Sequence, residues 1–427
     1  MGQHQRAITE EAGTEGEPTS QRVRHLLAVA RAEFVARGFD AVSIDAIARA
    51  GGVSKETIYR HFADKEALFR AALEAAGAEF TARAQAVHQA AAHPRIELAG
   101  LARTIIDATV DQGMFSVLWV ATSVAQRMPD FASLLHDQQW TRMEPVRLAL
   151  EEYARQQGLG RHVPLELALD FGSLAVEGPA MLMGFPPPAA AERDRMAGQA
   201  ALLFSQGIGP WIGEAGSGSG AGAAASEAAL TDSPSGPPDH IRTLLDVAAR
   251  HFLEQGFEGA NLDVIGAEAR VGRGTLYRHF GSKAGLFAAA LRQNARRTAA
   301  IAAPPPLPEG LMDRGALEAF LDKAIAALAS LPSIRLHRAA ISQSRRDPET
   351  GRAVFILLRA PWVDALLRWL APVNAGGDRE WLARQLLVLA TRGNRLLGAE
   401  RPVSATDRRH YAERAASIFL DGFTSLL

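Results

Sequence analysis

The chain has 427 residues, 48% of them hydrophobic and 22% charged, with a formal net charge of -1. This length exceeds the roughly 100–200 residues of a typical domain and predicts at least two domains. The near-neutral balance excludes nucleic-acid binding through bulk charge, and the lack of cysteine excludes disulfides, thiolate nucleophiles and Cys-ligated metal sites.

The chain begins with a polar segment, residues 1–19, whose glycines and glutamates predict a disordered tail. It lacks the apolar centre of a signal peptide. No uninterrupted apolar run reaches the ~20 residues that span a bilayer. We therefore expect a cytoplasmic protein with no membrane partner.

Residues 20–75 show the pattern of short helices. Leu26 and Phe34 recur at helical spacing, and Gly38 is placed to end that helix. Ser43 is predicted to cap a second helix and Ser54 a third, with a glycine pair between them. Two short helices joined by a glycine-containing turn indicate a helix-turn-helix.

The third helix is the candidate reader of DNA, because recognition helices meet base edges near their N-terminal ends. Nine basic and six acidic residues lie between Ser20 and Leu73, a local balance of +3 in a chain of net charge -1. Basic charge is therefore modestly concentrated where DNA is expected.

Residues 76–213 and 295–427 are rich in Ala, Leu and Met at helical spacing, which predicts a bundle of about five helices in each. Residues 214–238, rich in Gly, Ala, Ser and Pro, predict a flexible linker. Aromatic and neighbouring side chains are candidates to line an apolar ligand pocket, or else are core residues of the bundles: Phe115, Trp119, Trp140 and Trp362, with Met114, His136, His337 and Trp369.

The chain contains an internal repeat. A shift of 218 residues aligns Val23–Leu73 with Ile241–Leu291 without a gap, and Tyr-Arg-His-Phe occurs in both copies. Residues 239–294 are therefore predicted to form a second helix-turn-helix domain. The predicted fold class is all-α: two tandem units, each a three-helix DNA-binding domain with a helix-turn-helix followed by a helical bundle.

The segment SIDAIARAGGVSKETIYRHFADKEALFRAAL resembles the N-terminal region of the TetR family of bacterial transcriptional regulators, and NLDVIGAEARVGRGTLYRHFGSKAGLFAAAL resembles it a second time. The resemblance implies that each helical bundle is a ligand-binding and dimerisation domain, in which residues 164–183, 192–212, 379–397 and 406–423 form dimerisation helices. It also implies a set of DNA-contacting residues: Ser43, Lys55, Thr57, Tyr59, His61 and Lys65 in the first copy, and Arg273, Thr275, Tyr277, His279 and Lys283 in the second.

The second copy departs from the family pattern at two positions. Arg270 stands where the first copy has the turn glycine Gly52, and Gly272 stands where it has the capping Ser54. Arginine at a turn position with positive φ costs about 1 kcal/mol or more. Either the turn is distorted or Arg270 offers a new phosphate contact, and the two readers are expected to prefer different half-sites.

Together these features predict a sequence-specific, effector-responsive regulator, with repression implied by the family. Its partners would be a double-stranded DNA operator and an unidentified small-molecule effector; we expect no cofactor, no metal and no enzymatic activity. The chain is predicted to act as an intrachain pseudo-dimer on an imperfect palindrome. The alternatives are a homodimer of fused chains with four readers and a less specific DNA-architectural protein.

Overall fold

The computed structural model describes residues 16–90, 96–111, 114–125, 128, 130, 143–159, 162–212, 238–308, 313–373, 379–393, 397 and 401–427. Within these ranges the chain forms helices, turns and loops without any strand, which confirms the all-α prediction. No helix in the same ranges is both long and apolar enough to cross a membrane. Residues 1–15 of the predicted tail and 214–237 of the predicted linker lie outside the described residues.

The chain divides into two compact units, residues 1–86 and 87–427. The first unit holds α1 (Gly16–Arg37), α2 (Ile44–Ala50), α3 (Lys55–His61) and the start of α4 (Lys65–Ala90). Its core is an aromatic triad, with ring centroids 5.8 Å apart for Phe34 and Phe39, 5.0 Å for Phe34 and Phe69, and 5.0 Å for Phe39 and Phe69. Helix α1 therefore supplies the base on which the short helices pack.

The second unit opens with the helices of the first bundle: α5 (Leu98–Asp111), α6 (Met114–Ser123), α7 (Glu144–Gln156), α8 (Leu165–Ala175), a 3-10 turn (Ala180–Met183), α9 (Ala190–Gln206) and α10 (Gly209–Ile212). The apolar faces of α5 and α9 pack against each other and against α8. The buried side chains of α8 cover nearly its whole circumference, since Leu167, Leu169 and Phe171 are all inaccessible to solvent.

The second copy of the small-helix domain comprises α11 (Asp239–Gly259), α12 (Leu262–Glu268), α13 (Arg273–Phe280) and α14 (Lys283–Ile301). Its aromatic triad repeats that of the first copy, with centroids 6.2 Å apart for Phe252 and Phe257, 5.0 Å for Phe252 and Phe287, and 5.3 Å for Phe257 and Phe287. Helix α11 breaks at Gly256, whose φ of +74° corresponds to the +80° of Gly38.

The second bundle comprises α15 (Arg314–Leu328), α16 (Leu331–Gln343), α17 (Pro348–Trp369), α18 (Arg379–Ala390), α19 (Ala405–Asp421) and a 3-10 turn (Phe423–Leu426). Helix α15 packs along α19, and α16 packs along α17. Helix α14 lies against α17, so the second helix-turn-helix domain is joined to this bundle by continuous packing.

Helices of the two bundles pack on one another inside the second unit. Helix α9 contacts α19, α8 contacts α18, and α6 contacts α16. Phe204 stacks on Phe423 with centroids 4.7 Å apart, and the backbone N–H of Ile208 donates to the carbonyl of Phe419 over 2.7 Å. Helices within the four ranges predicted for dimerisation, 164–183, 192–212, 379–397 and 406–423, therefore pack together within this chain. Residues 394–396 of the third range lie outside the described residues.

Candidate nucleic-acid interface

The turn of the first copy is built from glycine conformation and capping hydroxyls. Gly52 has φ +62°, and the N–H of Val53 donates to the carbonyl of Ala48 over 3.0 Å. Ser54 begins α3 by accepting a hydrogen bond from the N–H of Thr57 over 3.1 Å. These bonds satisfy groups that a helix start otherwise leaves unpaired, and they fix the entry of α3.

The second copy forms the same turn without the glycine. Arg270 adopts φ +55°, and the N–H of Val271 donates to the carbonyl of Gly266 over 2.8 Å. Of the two alternatives for Arg270, the distorted turn is therefore not found, because the backbone keeps the conformation and the hydrogen bond of the first copy. Arg270 adopts the left-handed conformation at a cost of about 1–2 kcal/mol, and its side chain is exposed to solvent.

Each reader presents an exposed tyrosine. Tyr59 is 52% exposed and Tyr277 is 47% exposed, values that are unusual for a large ring in a folded domain. His61 and His279, two residues further along their helices, are also exposed. Both pairs of rings therefore lie on the outer face, where a phosphate or base edge could reach them.

Thr57 and Thr275 are half-buried. The hydroxyl of Thr57 lies 2.9 Å from that of Ser54, so it is already engaged in the start of α3. Ser43 caps α2 in the same manner, accepting from the N–H of Ala46 over 3.1 Å, and its equivalent Asn261 accepts from the N–H of Asp263 over 2.8 Å. The side chains of Ser43 and Asn261 therefore cap helix starts, and the hydroxyl of Thr57 lies beside the cap of α3.

The first residue of each reader has an acidic partner that was not predicted from the sequence. Lys55 Nζ lies 2.5 Å from Asp45 Oδ1, and Arg273 Nη2 donates to Asp263 Oδ2 over 2.6 Å. The two pairs occupy equivalent positions, with cation and carboxylate ten residues apart in both. Each carboxylate therefore holds its cation beside the N-terminus of the reader. The ten-residue spacing, which recurs in both copies, is the feature of the sequence that could have predicted these pairs.

The lysines that follow the readers lie over aromatic rings. Lys65 Nζ is 4.3 Å from the centroid of Phe39, and Lys283 Nζ is 5.1 Å from that of Phe257. Lys283 also donates to the carbonyl of Glu258 over 3.1 Å. An ammonium has three donors. Each lysine therefore lies beside a helix N-terminus, where its positive charge and the backbone N–H groups together favour the binding of a phosphate.

The second copy carries an ionic network that the first lacks. His251, 5% exposed, lies with Nε2 2.9 Å from Glu268 Oε2, and Arg250 pairs with the same carboxylate. The hydrogen bond from His251 lowers the pKa of Glu268. The shift of 218 places Glu33 and Ala50 at the positions of His251 and Glu268, so this connection of α11 to α12 belongs to the second copy.

The predicted ligand-pocket residues lie in separate environments. Trp119 is 6% exposed and donates from Nε1 to Ser344 Oγ over 3.0 Å, a contact between α6 and the end of α16. Trp362 is 2% exposed and packs edge-on against Phe320 at 5.4 Å. His337 and Trp369 are also buried. Four candidates lie outside the described side chains: Met114, Phe115, His136 and Trp140.

Two family models match the chain. The model of bacterial regulatory proteins of the tetR family matches residues 26–72 and again 244–290. The model of the AefR-like transcriptional repressor C-terminal domain matches residues 315–424. Both helix-turn-helix domains and the second bundle therefore have recognised relatives.

Individual relatives match parts of the chain. The HTH-type transcriptional repressor AcnR of Corynebacterium glutamicum is 35% identical over 82 residues, which are 19% of this chain and 43% of AcnR. A TetR-family regulator from Mesorhizobium loti has a TM-score of 0.35 at 20% identity, covering 43% of this chain and 97% of its own. A TetR-like regulator from Rhodococcus sp. RHA1 has a TM-score of 0.29 at 23% identity, covering 43% and 96%.

The fold and the repeated site define a protein with two helix-turn-helix DNA-binding domains in one polypeptide. The chain is a tandem TetR-like fusion, in which the second DNA-binding domain precedes an AefR-like C-terminal domain. TetR-family regulators are DNA-binding transcription factors and not enzymes; they bind DNA operators, dimerise and typically bind small-molecule effectors.

Proposed function

We propose that this chain is an effector-responsive transcriptional repressor whose two halves pair with each other, so that one polypeptide presents both readers to an imperfect palindrome. The observation that carries the proposal is a set of reciprocal contacts between α8–α9 of the first bundle and α18–α19 of the second. In an interface with two-fold symmetry, residue i of one half contacts residue j of the other, and j of the first contacts i of the second.

The ends of α9 and α19 supply one reciprocal pair of contacts. A shift of 215 residues relates Gly207 to Gly422, with φ +60° and +80°. A Cβ on Gly207 would collide with the carbonyl of Leu420, and a Cβ on Gly422 would collide with the carbonyl of Ser205. The same shift relates Leu420 to Ser205, so the two close approaches are equivalent.

The ends of α8 and α18 supply a second pair. The same shift relates Gly178 to Gly393, and each lies against the other's Cα. Gly178 also faces Val388, while Gly393 faces Ser173, the equivalent of Val388. The ends of α8 and α18 are therefore related by an approximate two-fold axis. This relation supports the proposal that the two halves of the chain pair with each other as two subunits of a TetR-family dimer would.

Charged residues in this interface are not symmetric. Arg414 of α19 pairs with Asp170, which is 5% exposed, and lies 3.1 Å from Glu166. The equivalents of Asp170 and Arg414 are Gln385 and Gln199. Pairing two first halves would leave the carboxylate of Asp170 buried without its cation, and pairing two second halves would leave Arg414 without its carboxylates. Such penalties favour pairing of a first half with a second half.

The proposed DNA contacts follow the exposed face of each reader. Lys55, Tyr59 and His61 in the first copy would meet base edges and phosphates in a major groove, with Arg273, Tyr277 and His279 doing so in the second. Thr57, Thr275 and Ser43 would contribute hydroxyls beside them, and Lys65 and Lys283 would contact phosphates. An effector would weaken operator binding only by having unequal affinity for the DNA-bound and free conformations.

Multi-angle light scattering of the purified chain tests the pairing. A single-chain mass at low micromolar concentration is expected, whereas a two-chain mass would favour the homodimer with four readers.

Arg414→Asp, which places like charge beside Asp170, is expected to lower the thermal stability of the second unit. Arg409→Asp, at an exposed position on the same helix, serves as the control, and Asp170→Arg combined with Arg414→Asp should recover part of the loss.

Sequence specificity is tested by competition. The chain is expected to select a recurrent site from random-sequence DNA and to keep that site under a large excess of unrelated DNA. A complex displaced in proportion to the unrelated DNA would instead indicate the architectural alternative.

A further inference from the structure

The second bundle contains a buried guanidinium. Arg359 lies on α17 with only 9% of its surface exposed, among the apolar residues of that helix. Burial lowers its pKa to about 9, which leaves the side chain charged at neutral pH. A charge taken out of water is costly unless it is paired and hydrogen-bonded.

The protein partner of this charge is a neutral imidazole. Arg359 Nη1 donates to His337 Nε2 over 2.7 Å, and His337 Nδ1 donates to the carbonyl of Ser333 over 2.7 Å. The second bond fixes the tautomer in which Nε2 accepts. Burial, aided by the charge of Arg359, lowers the pKa of His337 to about 3, so His337 is neutral and cannot balance the guanidinium.

No carboxylate in the described part of the chain pairs with Arg359. Other sheltered arginines differ in this respect: Arg414 has Asp170 and Glu166, and Arg147 has Glu144 at 2.7 Å and Glu151 at 2.5 Å. A guanidinium carries five N–H donors, of which one here reaches a side-chain acceptor. The remaining donors point to an acceptor supplied from outside the protein.

A second buried polar group lies one turn from His337 on α16. Ser333 is fully buried, and its hydroxyl has no hydrogen-bond partner. It lies one turn before His337 on the same face of the helix, as expected for residues four apart. Helices α16 and α17 pack together, and the His337 side chain joins Arg359 to the backbone carbonyl of Ser333, the residue whose hydroxyl is unpaired.

One aromatic ring lies against the guanidinium, and a second lies about one turn away on the same helix. Its central carbon lies 3.9 Å from the centroid of Phe355, one turn earlier on α17. Trp362, three residues later, lies against Phe320. A ligand that reached Arg359 would thus meet a planar cation on one side and apolar rings around it.

We propose that Arg359, with Ser333 and His337 beside it, binds the carboxylate of a small organic acid whose apolar body packs against Phe355 and Trp362. A carboxylate matches the planar fork of a guanidinium and supplies one negative charge to a site holding one positive charge. The inference rests on the proposed function, since this acid would be the effector, and it adds the effector's chemical class and its location in the second half.

Titration calorimetry and thermal shift on the full chain test the site, with benzoate as the probe and benzamide as its uncharged counterpart. Benzoate at millimolar concentration is expected to bind at one equivalent per chain and raise Tm, and benzamide to do neither. Arg359→Met should weaken benzoate binding about tenfold or more, since hydrogen bonds to a charged group are worth about 1.5–3 kcal/mol. Arg368→Met, at an exposed position on the same helix, is the matched control and should bind like the wild type.

The melting temperature of Arg359→Met without ligand provides a second test. Without ligand, Arg359→Met is expected to melt at the same or a higher temperature than the wild type, because it removes an uncompensated charge. Should it fail to fold, Ser333→Ala replaces it and should weaken benzoate binding by a smaller factor. Absence of benzoate binding to the wild type, or equal binding to Arg359→Met, overturns the proposal. Operator binding is measured separately, so its failure would refute the regulatory function while leaving the acid site standing.

Discussion

The two helix-turn-helix domains share their scaffold and differ on the surface that faces outward. Both have an aromatic triad, the same turn hydrogen bond and the same cation–carboxylate pair at the start of the reader. Residues that build the fold are thus kept at equivalent positions even where the turn residue changes from Gly52 to Arg270. The turn therefore keeps its left-handed conformation and its backbone hydrogen bond with either glycine or arginine at this position.

The charge of the two domains diverges. Residues 20–73 carry nine basic and six acidic side chains, whereas the equivalent residues 238–291 carry six of each. The second reader also replaces Lys55-Glu56 with Arg273-Gly274. Because phosphate contacts dominate the affinity for DNA, the first domain is expected to contribute more of the binding energy than the second.

The largest effect is expected where the copies agree. Phe34→Ala and Phe252→Ala each remove a fully buried ring from an aromatic triad and should each destabilise their own domain by about 3–5 kcal/mol. Hydrogen exchange of the amides in α3 and α13 measures each domain separately. Ile301→Ala, at a side chain 79% exposed, is the control. A destabilisation below about 1 kcal/mol in either copy would show that its triad is not the core.

The next effect separates the copies. Tyr59→Phe with Lys65→Ala should weaken operator binding and reduce the dependence of affinity on salt by about one ion for each phosphate that the protein no longer neutralises. Tyr277→Phe with Lys283→Ala should do the same to a smaller extent. Lys323→Ala, exposed on α15, controls for the change in charge. An unchanged salt dependence in both double variants would show that these side chains do not contact phosphates.

The turn residues of the two copies, Gly52 and Arg270, can be exchanged for each other by mutation. Gly52→Arg should lower the free energy of unfolding by about 1 kcal/mol, since arginine is strained at positive φ. Arg270→Gly should raise it by less, because glycine also gives the unfolded chain more freedom. Denaturant unfolding followed by circular dichroism measures both. If Arg270→Gly were destabilising, Arg270 would be making stabilising contacts that outweigh its backbone strain.

The smallest effect concerns the caps of the readers. Ser54→Gly should cost only a few tenths of a kcal/mol and Gly272→Ser should stabilise by as much, while Ser54→Ala should cost about 1 kcal/mol. The same unfolding assay detects the larger of these changes. Equal destabilisation by glycine and alanine at position 54 would mean that the Ser54 hydroxyl, not the backbone freedom of the cap, decides the stability.

The small-helix domains were predictable because their signals are local. Ser43, Ser54 and the glycine of the turn act within a few residues of themselves, so their roles follow from spacing alone. The turn at Arg270 was anticipated less well, because the sequence left two alternatives open and only the backbone shows that arginine adopts the left-handed conformation there.

Long-range features were harder to anticipate. The repeat at a shift of 215 is weak in identity, yet Gly178 and Gly207 are separated by the same 29 residues as Gly393 and Gly422. Their role depends on close approach of two distant backbones, which no local pattern reveals. Arg359 likewise sits in the apolar run FILLRAPW, but only the packing of α17 on α16 shows that its charge lacks a carboxylate among the described residues.

Whether one polypeptide presents two unequal readers can be measured by a chemical-protection footprint of the chain on its selected operator. We expect one chain per operator and two protected half-sites of unlike sequence. The more strongly protected half-site should be the one that loses protection in the variant Tyr59→Phe with Lys65→Ala. A symmetric operator protected equally in both halves, and affected equally by both double variants, would contradict this expectation.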